Sequence, residues 1–205
     1  MLTTPGLVRA IEGVAAQLAP IRDRLNEADS RLGDGDTGMT VSRMVEAVRA
    51  ISAELPPADL GEALVQCGRA CSKATGSSLG AVIAMALGAA GRSTREQASV
   101  DHIGVVNMLG GAALVIQERS GAKPGDKTVL DALLEIRDAF ASARPSASLR
   151  EEAVRAAGDA LDKFRGRQAK LGRARMYGPK SVGLDDPGML AVYLVLAATG
   201  STGAA

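Results

Sequence analysis

The chain has 205 residues, 46% hydrophobic and 23% charged, which fits one domain able to bury roughly 70% of its unfolded surface. Lys and Arg number 24 against 23 Asp and Glu, so the net charge of +1 supplies no global field for nucleic acid or an anionic membrane. Aromatic content of 2% without Trp removes base-stacking single-strand binders, and the Ala- and Leu-rich remainder favours helix, so the expected class is all-α.

In chain order, Gly, Pro, Ser and Asp divide the sequence into eight predicted helices: about 4–28, 38–54, 58–74, 77–91, 94–118, 127–143, 148–171 and 187–199. Pro20 should kink or restart the first. Cys67 and Cys71, four apart on one helix, read as small apolar residues, since two cysteines and the single His102 assemble neither a disulfide framework nor a zinc site. Leu79 to Ala90 is apolar all round, as is Met189 to Ala198, which predicts two enclosed helices. Both fall short of the ~18 residues needed to cross a bilayer. Ser93 followed by Glu96 has the form of a capping box and predicts a helix start near 94. The stretch 148–171 places Ala153, Ala156, Ala157, Ala160, Leu161 and Phe164 on one face, an amphipathic surface helix. The Ser/Gly/Ala tail at 200–205 is expected to be disordered, and the N-terminus lacks a basic segment followed by an apolar run. The expectation is a single cytosolic domain over residues 1–205, a helical bundle or closed barrel.

The chemistry collects in the links. Residues 29–38, 120–128 and 172–188 hold much of the non-helical Gly and Asp, and Thr75-Gly76-Ser77-Ser78 adds hydroxyls. Alternate links of an up-and-down bundle lie at one end, so these can converge on one polar rim. Asp29, Asp34 and Asp36 repel one another unless a cation neutralises them, and Mg2+ takes one or two carboxylates together with phosphate and water oxygens. A solvated, helix-breaking turn is the plain alternative. An EF-hand register from Asp34 puts Met39 where glycine and Val45 where glutamate are required, and no Walker A loop is present. Gly38-Met39-Thr40 opens a helix whose free N–H groups suit phosphate, and Ser77-Ser78 opens another, with a simple Ser N-cap as its alternative. Asp126 reads as a cap for the helix after Thr128, Arg173 and Arg175 offer guanidinium groups, and Pro187 sits at a helix N1 position.

In this order the links resemble the nucleotide-binding L subunit, or L domain, of dihydroxyacetone kinases. The match runs through Leu32-Gly33-Asp34-Gly35-Asp36, Gly76-Ser77-Ser78, Gly121 to Thr128 with Leu130-Asp131-Ala132-Leu133, Gly172-Arg173-Ala174, Ser181-Val182-Gly183 and Asp186-Pro187-Gly188. The resemblance implies a barrel of eight antiparallel helices with ADP or ATP held at one end through two Mg2+ ions. It places the metal ligands, and so the catalytic centre, on Asp29, Asp34 and Asp36. Thr37, Gly38, Thr40, Gly76, Ser77, Ser78, Gly121, Arg173, Asp186, Pro187 and Gly188 would line the nucleotide. It also implies a separate K-type subunit holding the ketose, dihydroxyacetone or a relative such as erythrulose, without which this chain is catalytically incomplete.

The sequence departs from the family pattern at Thr37 and Thr40, where His and Asn are usual, at Pro179-Lys180 in place of Glu-Arg, and at Leu184 in place of His. Two other readings stay open. The nucleotide-binding domain of bacterial fatty-acid kinase shares the Asp-Gly-Asp-Thr-Gly loop. A binding module could instead signal nucleotide state to a transcription factor or a phosphotransferase-system phosphocarrier. Neither nucleic acid nor membrane is an expected partner, and a homodimer is compatible with the sequence.

Overall fold

The computed structural model describes residues 1–142 and 148–200, so of the predicted disorder over 200–205 all but Gly200, a turn residue, lies outside the described residues. Among the described residues there are nine α-helices: α1 (Thr4–Ala16), α2 (Leu18–Ser30), α3 (Thr37–Ala50), α4 (Leu60–Ala74), α5 (Ser78–Ser93), α6 (His102–Ser120), α7 (Val129–Ser142), α8 (Leu149–Arg165) and α9 (Pro187–Ala198). A two-residue ribbon pairs β1 (Leu2–Thr3) with β2 (Ser99–Val100), antiparallel.

Sequence supplies most of the helix starts. Thr3, Asp59, Ser77, Asp101, Ser148 and Asp186 each accept, through the side chain, a first-turn N–H of the helix that follows. The predicted first helix is two, because Pro20 lacks an N–H and its ring clashes with the carbonyl four residues back, on Ala16. The chain accordingly breaks at Gln17, whose φ/ψ of −110/15 leaves the helical basin.

Consecutive helices from α2 to α9 pack against each other, and α9 closes the ring by packing on α2. The result is the expected all-α barrel of eight helices, with α1 laid against α3 and α9. Its core joins Leu25, Met44, Cys67, Leu161, Phe164, Met189 and Leu190, and a second cluster joins Leu60, Leu64, Met108, Ile136, Phe140 and Ala157. The predicted apolar face of α8 is buried throughout. Cys67 and Cys71 are buried free thiols, their pKa values pushed up by burial to about 12 and about 11, consistent with small core residues. Among the described residues no helix is long and apolar enough to cross a membrane.

Three expectations need correction. No helix starts near 94: α5 runs on to Ser93, whose Oγ donates back to the Ala90 carbonyl, while Glu96 sits at φ 61 and α6 starts at His102 behind the cap of Asp101. The predicted 148–171 helix ends at Arg165, and 166–171 joins the long link to α9. Finally, α9 is enclosed as expected, but α5 buries only Gly80, Ala89, Ala90 and Gly91 fully.

Candidate functional site

The links 31–36, 75–77, 121–128 and 166–186 all join alternate helix pairs and therefore lie at one end of the barrel. Contacts tie them together. The Tyr177 hydroxyl donates to the Gly33 carbonyl at 3.2 Å, and the Lys170 amide donates to the Asp126 carbonyl at 3.0 Å. A Cβ added at Gly188 would lie 3.6 Å from Leu79 and 3.7 Å from Val129, so the starts of α5, α7 and α9 meet. Leu184, which stands where the family has His, packs with Leu32, Ala169 and Ala174 and seats the acidic loop on the last link.

The acidic loop is built around Asp29, on the last turn of α2. Asp29 is 5% exposed, and its Oδ2 accepts the amides of Asp36 at 2.8 Å and Thr37 at 3.1 Å. Asn26, one turn earlier, accepts the Gly38 amide at 2.8 Å. The first donors of α3 are thus satisfied from α2. Asp36 occupies the N-cap position without making a side-chain cap bond, so its carboxylate stays out of the helix end. That corrects one expectation: the amides of Thr37 and Gly38 are occupied, and Gly38 and Thr40 are buried. Gly35, at φ 78, makes the turn that returns the chain to α3.

Asp29, Asp34 and Asp36 each present one oxygen such that the three lie within 4.8 Å of one another. Like charges this close require a counterion. Here Arg173 supplies one, its Nη1 contacting Asp34 Oδ1 and lying 3.6 Å from Asp36 Oδ1. A cluster of hard oxygen donors with a guanidinium beside it fits Mg2+ in charge and ligand type.

The remaining sequence-derived residues fall around this centre in different roles. Ser77 realises the plain N-cap, accepting the Gly80 amide at 3.0 Å, while Ser78 and Gly76 are exposed. Gly121 is the left-handed C-cap of α6 at φ 72. Asp186 caps α9 through the Met189 amide at 2.9 Å, with Pro187 in the first turn. Asp126 does not cap α7. It closes its own turn on the Lys123 amide, and the cap is the reciprocal pair in which Leu130 N donates to Thr128 Oγ1 and Thr128 N donates to Asp131 Oδ2. A shallow cleft of about 460 Å3 borders the 121–128 and 166–186 links, lined by Gln117, Gly125, Asp131, Glu135, Lys163 and Arg167 among others, and includes none of the clustered acids. Converging charge marks chemistry better than cleft size does, so we place the site at the acids.

Sequence reasoning missed Asn26 and Lys127. Lys127 is 1% exposed and sits at φ 62, a backbone region that disfavours a long side chain, and nothing in its local sequence signals either property. Burial holds its pKa below the usual lysine range, opposed by the carboxylates of Asp186 and Asp185.

Burial likewise pushes Asp186 up to about 6, against the amides of Met189 and Gly188 and the charge of Lys127. The folded protein therefore binds more protons here than the unfolded chain between about pH 4 and 6, and this group's contribution to stability falls as pH rises through that window. Asp186→Asn keeps a capping oxygen and removes the slope. The melting temperature of the variant relative to the parent should rise from pH 4 to pH 7, and parallel curves would contradict the shift.

Residues 31–201 match the family model described as the DAK2 domain. The chain is 32% identical over 198 residues to the L-erythrulose 1-kinase of Mycolicibacterium smegmatis, covering 95% of this chain and 35% of that protein. It is 26% identical over 164 residues to the Listeria innocua protein named PEP-dependent dihydroxyacetone kinase 1, ADP-binding subunit DhaL, covering 80% of this chain and 79% of that one. The crystal structure of the dihydroxyacetone kinase of C. freundii in its native form superposes with a TM-score of 0.75 at 24% identity, over 96% of this chain and 34% of that chain, a likeness of fold. The chain thus spans about a third of the length of the M. smegmatis kinase. With the motifs at one end of the barrel and the family model matched over most of the sequence, the chain belongs to the DAK2-domain family.

Proposed function

We propose that this single domain is the nucleotide-binding component of a two-component ketose kinase: it holds ADP or ATP with Mg2+, and a separate K-type component holds dihydroxyacetone or a related short ketose such as erythrulose. The observation that carries this reading is the trio of carboxylate oxygens within 4.8 Å at the end of the barrel where four links meet. Supporting it, relatives covering nearly all of this chain are named as erythrulose kinases, and another is named as an ADP-binding subunit.

In this reading Asp29, Asp34 and Asp36 would hold two Mg2+ ions, which would supply neutralisation of phosphate charge and Lewis acidity. The chain's own part is placement. Asp29 is fixed by two amides before any ligand arrives, so the centre is preorganised at one ligand and adjustable at Asp34 and Asp36, both exposed. Arg173 is drawn from its acid partners toward phosphate oxygens, a bidentate acceptor better matched to a guanidinium. Ser77, Ser78, Gly76, Thr37, Gly121 and the Asp186-Pro187-Gly188 turn surround the rest of the nucleotide. Thr37 and Leu184 supply no imidazole, so no residue at those positions shuttles a proton.

Titration calorimetry with ADP in the presence and absence of Mg2+ tests the binding half. Affinity should appear only with the metal, and equal affinity with EDTA would remove the metal from the account. Mixing the chain with a K-type ketose-binding partner, ATP and either ketose tests the other half, with ketose phosphate expected only when both proteins are present.

A further inference from the structure

The link from α8 to α9 runs for 21 residues without an α-helix, long enough that something must hold it to one conformation. Its tip, the 3-10 segment Arg173–Ser181, reaches the acidic loop through Arg173 and the Tyr177 hydroxyl. Its neck is gathered on one side chain. The Lys127 ammonium donates to the carbonyls of Arg167 and Ser181 at 2.8 Å each and of Arg165 at 3.2 Å. An ammonium has three protons, and all three are used. Around it Gly183 N donates to the Arg165 carbonyl at 2.8 Å, and the Ser181 hydroxyl accepts the Ala169 amide at 2.9 Å and donates to the Gly178 carbonyl at 2.6 Å.

The backbone at 127 would suit Gly or Asn better than Lys, and a buried amine costs free energy unless fully paired. Neither local conformation nor packing explains a lysine there. The bonds of its amine, spanning 38, 40 and 54 residues of sequence, do. We infer that Lys127 is a positioning residue: its ammonium clasps the neck of the 166–186 link and thereby sets Arg173 against the acidic cluster. Its three protons are all taken by backbone carbonyls, so it acts through Arg173. The clasp rests on the geometry alone, whereas its consequence for ligand binding rests on the function proposed above.

Two assays on Lys127→Met separate these. Arg173 and Arg175 are exposed, so trypsin reports on the link directly. Cleavage after either residue, followed by mass spectrometry of the released C-terminal fragment, should be at least about tenfold faster than in the parent at unchanged helical circular dichroism, because protection tracks the population of the open form. Lys127→Arg, which keeps charge and donors, should recover part of the protection. Cleavage of Lys127→Met at the parental rate overturns the clasp whatever the chain binds. The second assay is Mg2+-dependent ADP affinity across a double-mutant cycle with Arg173→Ala. Lys127→Met should weaken binding about tenfold in the parent and not further when Arg173 is already absent. Losses that multiply independently mean a general structural effect and overturn positioning through Arg173. If the parent binds no ADP, the proposed function fails and the trypsin assay still decides the clasp. Should Lys127→Met not fold, Lys127→Gln, shorter and with fewer donors, enters both assays with the same outcomes counting for and against.

Discussion

Asp34→Asn and Asp36→Asn should each weaken Mg2+-dependent ADP binding by about 100-fold or more, with apo stability changed by less than about 1 kcal/mol. The asymmetry follows from how the three acids are held. Asp34 and Asp36 are exposed, and their partner Arg173 is itself 55% exposed, so in the apo protein these are surface ion pairs whose net worth is about 0–1 kcal/mol. Losing one charge also relieves repulsion inside the trio. For a divalent cation the same charge is a direct ligand, and an amide oxygen replaces it poorly. Asp29 should behave oppositely. Its Oδ2 satisfies two amides in a part-buried turn, so Asp29→Ala removes both bonds, at up to about 1–3 kcal/mol for each group that water does not reach, and lowers the melting temperature as well as the affinity. Calorimetric titration and thermal melts on the three variants check the pattern. Unaltered ADP affinity in Asp34→Asn and Asp36→Asn, with the fold intact, removes the acidic trio from nucleotide binding.

How far such a site is legible in sequence depends on the range of the interactions that make it. The acids were visible because charge density and glycine content are local, and the helices because apolar faces such as Ala153 to Phe164 repeat at helical spacing, which leaves bundle and barrel both open until the motif order is set against the family's. The even division into eight helices also put the right links at one end. What was not legible is set by partners far along the chain. Ser93 and Glu96 spell a capping box, yet the backbone there is decided by the α4–α5 contact: Leu60 N donates to the Gln97 carbonyl, and a Cβ at Gly91 would come within 2.4 Å of the Gly61 carbonyl. Helix α5 therefore continues past the expected stop to keep that close approach. The occupied amides of α3 follow the same rule, since their acceptors are on α2. Lys127 is the extreme case, a charged residue in a turn motif whose burial is dictated by carbonyls about 40 and 54 residues later.

Gly38→Ala should be the most damaging small substitution near the site, because Gly38 is where α2 and α3 touch. A Cβ there would sit 2.1 Å from the Arg22 carbonyl oxygen, 2.8 Å from the Arg22 carbonyl carbon and 2.5 Å from Asn26 Oδ1. Two of those atoms are helix backbone, which cannot rotate away, so the helices must separate. Overpacking in cores typically costs 1–3 kcal/mol, and a clash with backbone belongs at about 3 kcal/mol. At roughly 2–4 °C per kcal/mol for a chain of this size, the melting temperature should fall by about 6–12 °C. The same movement pulls the Gly38 amide from Asn26 and the Thr37 amide from Asp29, so Mg2+-dependent ADP affinity should fall with it. Gly111→Ala is the control: inside α6 with nothing within 4 Å of an added Cβ, it should gain up to about 1 kcal/mol from helix propensity alone. If the two variants melt within a degree of one another, the α2–α3 contact is looser than these distances require, and Asp29 is not held by the helix pair as described.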